Sequence, residues 1–285
     1  LHPRVRRQRQ MCIRDRRYLK YIIMGIVAVT LYTLFFPGKD KEKGKPRDYQ
    51  TIVESGILRA VTEYNSISYF ADGDTVSGFH YELLNAFARS KGLTPEIIPE
   101  MSFEKRQEGI LTGKYDILAN STIVTSESKD SLLFTHPILL NKQVLVQRKP
   151  GLENDSMYIH SQLELARKTL HVVKGSPVLL RIHNLSNEIG DTIYIQEVEK
   201  YGPEQLLAMV AHGDIDYTVC DESIAQASIN DFPQLDIKTA ISFTQFYSWG
   251  VSKHSPILLD SLNAWLDTYT LTPEFRELQK KYYNK

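Results

Sequence analysis

The sequence predicts an α/β protein built as two similar lobes, and three observations lead there. Apolar runs of strand length alternate with amphipathic stretches of about ten residues, the pattern of mainly parallel strands joined by helices. That alternation breaks off near residue 150 and starts again near residue 170. Each half also carries the same short echo where a helix hands over to a strand, Gly113-Lys-Tyr-Asp116-Ile in the first and Gly213-Asp-Ile-Asp216-Tyr in the second. In both, the Gly can take the positive φ of a helix end, and the Asp is expected to hydrogen-bond the turn backbone. With 42% apolar residues and only 12 Pro and 15 Gly in 285, the chain can bury substantial cores, and a disordered, collagenous or coiled-coil protein is excluded.

In chain order, Asp48 is the N-cap of a helix over 49–55, Gly56 ends it, and a strand over 57–62 follows. A polar turn at 72–74 leads to a helix over 80–90 closed by Gly92, a strand over 96–98 and a helix over 103–111 ending at Gly113. A strand over 115–119 completes this series. After a strand over 143–147 and a loop over 150–156, the second series runs strand 170–173, helix 177–187, strand 192–197, helix 203–211 and strand 215–219. A last strand over 247–251 leads into two helical stretches, 257–271 and 272–283, with apolar residues at helical spacing and a Pro at the start of the second. Trp249 and Trp265 are read as core residues.

Charge is unevenly placed. Residues 1–46 hold 12 Lys/Arg and 3 Asp/Glu, which leaves 22 basic and 31 acidic side chains, a net charge of −9, on the rest. A body that acidic repels nucleic acid phosphates, so nucleic acid is not expected as a partner. Two cysteines, Cys12 and Cys220, make neither a disulfide framework nor a zinc site. The scattered His136, His171 and His183 are read as structural, and no spacing supports a catalytic triad.

The segment 17–37 contains YLKYIIMGIVAVTLYTLFF, interrupted only by Lys20 and stopped by Pro37. At about 1.5 Å per residue it approaches the ~30 Å of a hydrocarbon core. It is expected to be a transmembrane anchor or signal helix. Basic residues before it favour a cytoplasmic N-terminus, while the basic linker over 38–48 puts charge on the far side too. No small-x-small site follows, which favours an uncleaved anchor over a signal peptide. Residues 1–16 include MCIRDR, which resembles translated sequencing adapter, and are assigned no function; the alternative is a basic leader.

Several ordered blocks carry a resemblance: GILRAVTEYN, GFHYELLNAFARSKGL, GKYDILANSTIVTSES, LLFTHPILLNKQVLVQRK, GDIDYTVCDES and FTQFYSWGVSK. Over residues 56–283 the chain is similar to the family 3 extracellular solute-binding proteins of the type II periplasmic binding fold. Within them it most resembles the non-catalytic N-terminal module of membrane-bound lytic transglycosylase F. The resemblance implies lobe 1 over 49–140 plus 246–285 and lobe 2 over 141–245, with hinge crossings near 138–142 and 242–245. It implies closure around a small polar solute, a periplasmic or extracytoplasmic location, and an ABC transporter permease as a possible partner. No cofactor or metal is implied.

The site residues it implies lie at strand ends. Glu63 and Tyr64 follow the first strand, against a plain exposed loop as the alternative. Asn120, Ser121 and Thr122 follow the strand over 115–119, where family members grip the solute through backbone and hydroxyl groups. Lys174, Gly175 and Ser176 sit between a strand and a helix, the geometry of an anion site, or of a plain capped helix. Asp221 stands where amino-acid binders hold an ammonium group, or else caps the helix over 222–228. One departure stands out. Free amino acid binders carry Thr-x-x-Arg, whose Arg clamps the α-carboxylate, and here the segment is Thr125-Ser126-Glu127-Ser128. A peptide, muropeptide fragment or other polar solute gains weight accordingly. Two further readings stay open: a dehydratase or lyase on the same fold, with Glu63 or Asp221 as acid/base, and the regulatory module of a truncated lytic transglycosylase or sensor.

Overall fold

The structure, a computed structural model, describes Tyr21, residues 44–151 and residues 157–283, with the side chain of Glu127 left aside. The leader at 1–16, the apolar segment at 17–37 apart from Tyr21, and the linker up to 43 lie outside these residues. Among the described residues no helix is long and apolar enough to cross a membrane. From Lys45 onward the chain forms one compact unit.

That unit begins with α1 (Tyr49–Ser55) and β1 (Ile57–Thr62), then a hairpin of β2 (Phe70–Asp72) and β3 (Thr75–Ser77). Next come α2 (Phe79–Ser90), β4 (Thr94–Pro99), α3 (Phe103–Leu111), β5 (Ile117–Ile123), α4 (Ser126–Ser131), β6 (Leu132–Phe134) and β7 (Leu139–Asn141). The second series is β8 (Gln143–Arg148), β9 (Thr169–Val173), α5 (Val178–Ile189), β10 (Tyr194–Val198), α6 (Pro203–His212), β11 (Thr218–Asp221), α7 (Glu222–Ser228) and β12 (Leu235–Asp236). Finally β13 (Gln245–Ser252) leads to α8 (Pro256–Tyr269) and α9 (Pro273–Tyr283).

Two separate sheets result, and they share one plan. The first is ordered β4-β1-β5-β13-β6, with β7 also on β13; the second is β10-β9-β11-β8-β12. In each, three parallel strands are followed by one antiparallel strand that a short fifth strand flanks. The antiparallel member is β13 in one and β8 in the other, and each is the strand the chain makes on arriving from the other sheet. The two passages run side by side: β7 pairs with β13 from Leu139 opposite Tyr247 to Asn141 opposite Gln245. Beyond that pairing, Gln143 N–H donates to Ser242 Oγ at 2.9 Å and Gln143 C=O accepts from Ile241 N–H at 2.8 Å.

Strand periodicity divides the second core between the two faces of its sheet. On β8, Leu145 packs with Leu170, Val172, Ile182 and Tyr217, while Val144 and Val146 join Leu206, Leu207 and Val210 on the other face. The first core centres on Leu58, Phe79, Phe87, Trp249 and Leu262, and Phe275, Leu278 and Tyr282 of α9 pack into it. One residue ties the chain entry to this core. The Asp48 carboxylate accepts from Tyr49 N–H at 2.7 Å and from Leu258 N–H at 2.8 Å, so it caps α1 and the first turn of α8 together.

The echoed motif does its structural task differently from expectation. Gly113 and Gly213 do take positive φ, 71° and 86°. The Asp that follows binds an arginine on the neighbouring strand, where a bond to its own turn was expected. Asp116 accepts from Arg47 at 2.5 Å, from Arg59 Nη2 at 2.9 Å and from Arg59 N–H at 2.9 Å. Asp216 pairs with Arg148 at 2.7 Å, whose guanidinium also caps the carbonyls of Val210 and Ile215. The strands after both motifs begin later than expected because carbonyls near the end of the preceding helix still hold the chain, with Tyr115 N–H donating to Gly109 C=O and Asp214 N–H to Met209 C=O. As a result Asn120, Ser121 and Thr122 lie within β5, and Asp221 is the last residue of β11. The β2–β3 hairpin, α4 and the short strands β6, β7 and β12 had no expected counterpart.

The two arginine pairs differ in burial, and this predicts unequal effects. The Asp116 side chain is 0% exposed and that of Asp216 48%. Asp116→Ala leaves two guanidinium groups facing an empty carboxylate site and is expected to cost about 3–5 kcal/mol. Asp216→Ala breaks a half-exposed pair and is expected to cost about 1 kcal/mol or less. Urea unfolding of both variants checks this, and equal losses would contradict it.

Candidate functional site

A cleft lies between the two sheets. Its polar lining is Glu63, Arg106, Asn120, Ser121, Gln143, Ser176 and Asp221, with Phe103, Val219 and Ile224 among the apolar walls. Phe103, Ile123, Ser176 and Pro177 continue from it into an outer groove, which Thr122, Thr125, Ser128, Gly175 and Leu180 also line and which carries no charged side chain among its lining residues.

Of the residues expected here, Glu63, Asn120, Ser121, Ser176 and Asp221 come together in the cleft. Thr122 is buried and faces the outer groove, its Oγ1 donating to Asn120 Oδ1 at 2.8 Å. Tyr64 is 43% exposed and lies against the Tyr69 ring, outside the cleft lining. The turn over 174–176 departs from an anion cradle. Lys174 is exposed and bonded to Glu199, and the three backbone N–H groups are taken by Val198, Glu197 and Val173. An anion would meet the Glu197 carboxylate there, so the turn offers the cleft the Ser176 side chain and no cationic cradle.

Asp221 makes no side-chain cap for α7. Instead it accepts from Tyr247 Oη at 2.7 Å, a residue of the other sheet. The residue keeps an edge on the cleft, but protein encloses its carboxylate. Burial pushes its pKa from 3.8 up to about 7, the Tyr247 hydrogen bond opposes that, and Glu63 adds to it. Burial first, and then the Asp221 charge, push the Tyr247 phenol well above its usual value, which keeps it a donor. Burial also raises the Cys220 thiol well above its usual value, so this cleft-wall cysteine is an unreactive one.

Sequence reasoning missed Arg106, Gln143 and His80. Arg106 lies on α3 and is 4% exposed; its Nη1 donates to the carbonyls of Glu100 and Met101, and its Nη2 lies 3.7 Å from Glu63. Its Nε, like Gln143 Oε1, is buried without a partner. A lone Arg on an amphipathic helix and a Gln opening a strand carry no pattern that marks them. Ser128, standing where an Arg clamp would be, serves the start of α4: its Oγ accepts from Thr125 N–H at 2.9 Å and its N–H donates to Thr125 Oγ1 at 3.1 Å. Among the described residues no cluster of His, Cys, Asp and Glu is suited to a metal.

Direct hydrogen bonds join the two lobes. Glu204, in the first turn of α6, accepts from Ser66 N–H at 2.8 Å and Ser66 Oγ at 2.5 Å. At the hinge, within lobe 2, Asn141 Nδ2 donates to Ser223 Oγ at 2.8 Å, and Lys142 pairs with Glu222 at 3.1 Å.

Two lobes of matching topology, joined by paired crossings over a polar cleft, define a two-domain ligand-binding protein. The family model for bacterial extracellular solute-binding proteins, family 3, matches residues 58–285, and the chain belongs to that family. It is 27% identical over 241 residues to membrane-bound lytic murein transglycosylase F of Pseudomonas fluorescens, an alignment covering 84% of this chain and 48% of the relative. The protein of that name from Photobacterium profundum is 25% identical over 90% of this chain and 50% of its own. The chain thus spans about half the length of these relatives. Among solved structures, a mutant of ArgBP from T. maritima superimposes with a TM-score of 0.72 at 23% identity, covering 83% of this chain and 99% of its own. An ancestral arginine-binding protein bound to arginine gives 0.69 at 24% identity, over 80% and 98%. At these identities the likeness speaks for the fold.

Two expectations follow from the geometry. Glu204→Ala removes the acceptor of two charge-assisted bonds, worth about 1.5–3 kcal/mol each, and should shift the ligand-free protein toward an open form. Small-angle scattering should show a larger radius of gyration than wild type; an unchanged radius would contradict the latch. The second concerns pH. A carboxyl whose folded pKa is raised binds its proton more tightly when folded, so its contribution to stability falls as pH rises from about 4 through about 7. Asp221→Asn should flatten the pH dependence of the thermal midpoint in that window, and an unaltered profile would contradict it.

Proposed function

We propose that the chain is an extracytoplasmic binding module that closes its lobes around a small polar solute bearing an ammonium group. The observation that carries this reading is Asp221, a carboxylate at a strand end, facing the cleft, enclosed by protein and lacking a cationic partner among its hydrogen bonds. An entering ammonium group would supply that partner. Glu63 adds a second carboxylate to the lining against one guanidinium, Arg106, so a cationic head group is favoured over an anionic one.

The far end of the ligand meets a different environment. Arg106 is engaged by Glu63 and two carbonyls, and Ser128 offers no charge, so a free α-carboxylate would find no unshared clamp. The neutral outer groove supports an amide-linked extension, as in a peptide or a muropeptide fragment. Closure would rotate the lobes about the crossings near 138–142 and 242–245.

The half-length match to transglycosylase F supports a second reading, the same binding chemistry serving as the sensing module of a larger cell-wall enzyme. A near-neutral carboxyl is also what a lyase would use. The binding reading differs in expecting the ligand to be recovered unchanged, which mass spectrometry of the eluted ligand checks.

A thermal-shift screen of amino acids, dipeptides and muropeptides tests the proposal. A ligand raising the midpoint should lose about 1.5–3 kcal/mol of binding free energy in Asp221→Ala, the range for a charge-assisted bond. Unchanged affinity in that variant, or binding confined to anionic solutes, would contradict it.

A further inference from the structure

Ser121 is held by a chain of hydrogen bonds that has a direction. Trp249 Nε1 lies 2.9 Å from His80 Nδ1, and an indole N–H can only donate. Nδ1 therefore holds a lone pair. A neutral imidazole then carries its proton on Nε2, which lies 3.2 Å from Ser121 Oγ. A second proton would have to sit on Nδ1 and break the bond to Trp249. Burial opposes that as well: His80 is 1% exposed, and desolvation lowers its pKa to about 3.

With His80 donating to it, Ser121 Oγ has filled one acceptor position and still has its own proton to give. The cleft is on that side, since Ser121 is part of its lining. The buried Tyr283 hydroxyl is a second acceptor within reach of that proton: burial pushes its phenol up and the Ser121 hydroxyl opposes the shift, so a ligand oxygen has to take the proton from Tyr283. The same polarity removes a catalytic reading of the pair: Nε2 has no lone pair with which to take the serine proton, so His80 and Ser121 do not form a base and nucleophile.

We propose that Trp249 and His80 are positioning residues that hold Ser121 as a one-way donor into the cleft, where it recognises an sp² oxygen of the ligand, a carboxylate or an amide carbonyl. This rests on the cleft being the solute site. It places a neutral donor beside the acidic Asp221 and Glu63, so amine and oxygen ends of one ligand are told apart by the direction of a hydrogen bond as well as by charge.

The first measurement needs no ligand: the ¹⁵N shifts of the two His80 ring nitrogens in the full chain. The expected result is a neutral ring protonated on Nε2 that does not titrate between about pH 5 and 8; an Nδ1-protonated ring or an imidazolium in that range overturns the relay. The second uses L-alanine and L-alaninamide as probes by calorimetry, the first offering only a carboxylate and the second only an amide carbonyl, which separates the two kinds of oxygen. For whichever binds, Ser121→Ala and His80→Leu should each weaken affinity by about tenfold, while His80→Gln, which can offer one acceptor and one donor, should stay within about threefold. In a Ser121→Ala background, His80→Leu should add little, since His80 acts through the hydroxyl. A full additional loss there would overturn the proposal. If neither probe binds the wild type, that counts against the solute reading, and the relay is decided by the ring shifts alone.

Discussion

Each sheet is completed by an antiparallel strand that the chain makes only after leaving the other lobe. β13 enters between β5 and β6, and β8 between β11 and β12. Neither lobe can close its core without the crossing from its neighbour, because Tyr247, Trp249 and Val251 come from β13, and Val144, Leu145 and Val146 from β8. The crossings are bonded to one another at Gln143 and Ser242, so both sheets grow from a single two-stranded ribbon. A rotation between lobes is thereby confined to the few residues that belong to neither core.

The same constraint builds the site. Because the parallel strands β5 and β11 both end at the crossings, Ser121 and Asp221 face each other across the cleft, and the returning strand reaches both. Tyr247 on β13 donates to Asp221, and Trp249, two residues on, donates to the His80 that serves Ser121. Residues two apart on a strand project to the same face, so one strand sets the orientation of a group in each lobe. Trp249 is fully buried and part of the core, as its composition suggested, yet its one polar atom points at the site.

Much of the fold was legible because it rests on local rules. Helices α3 and α7 occupy the expected ranges, 103–111 and 222–228, and the duplicated Gly-x-apolar-Asp motif does mark corresponding junctions of two similar sheets. Short strands such as β6 and β7 were not legible, since three residues carry no periodicity and exist only through pairing with β13. At the site, Asp221 and Ser121 followed from the family resemblance, which implies site residues at strand ends; Asp221 does end β11, while Ser121 lies within β5. Arg106 and His80 did not, because a cation on a helix face reads as solvated and a histidine beside an apolar run reads as core. Lys174 was misleading for a related reason: its charge was visible, whereas Glu197 and Glu199, which absorb the turn's donors, come from the neighbouring strand β10 and the turn after it.

Asp221 is where fold and chemistry meet most sharply, since the enclosure that gives the cleft its shape also raises that carboxyl to about 7. An ammonium ligand must reverse the shift on binding and expel the proton. Calorimetric titration near pH 6 in two buffers of different ionisation enthalpy measures this directly. The account predicts release of about one proton per ligand bound, falling away toward pH 9 and absent in Asp221→Asn. Proton uptake, or binding with no proton change at pH 6, would contradict it.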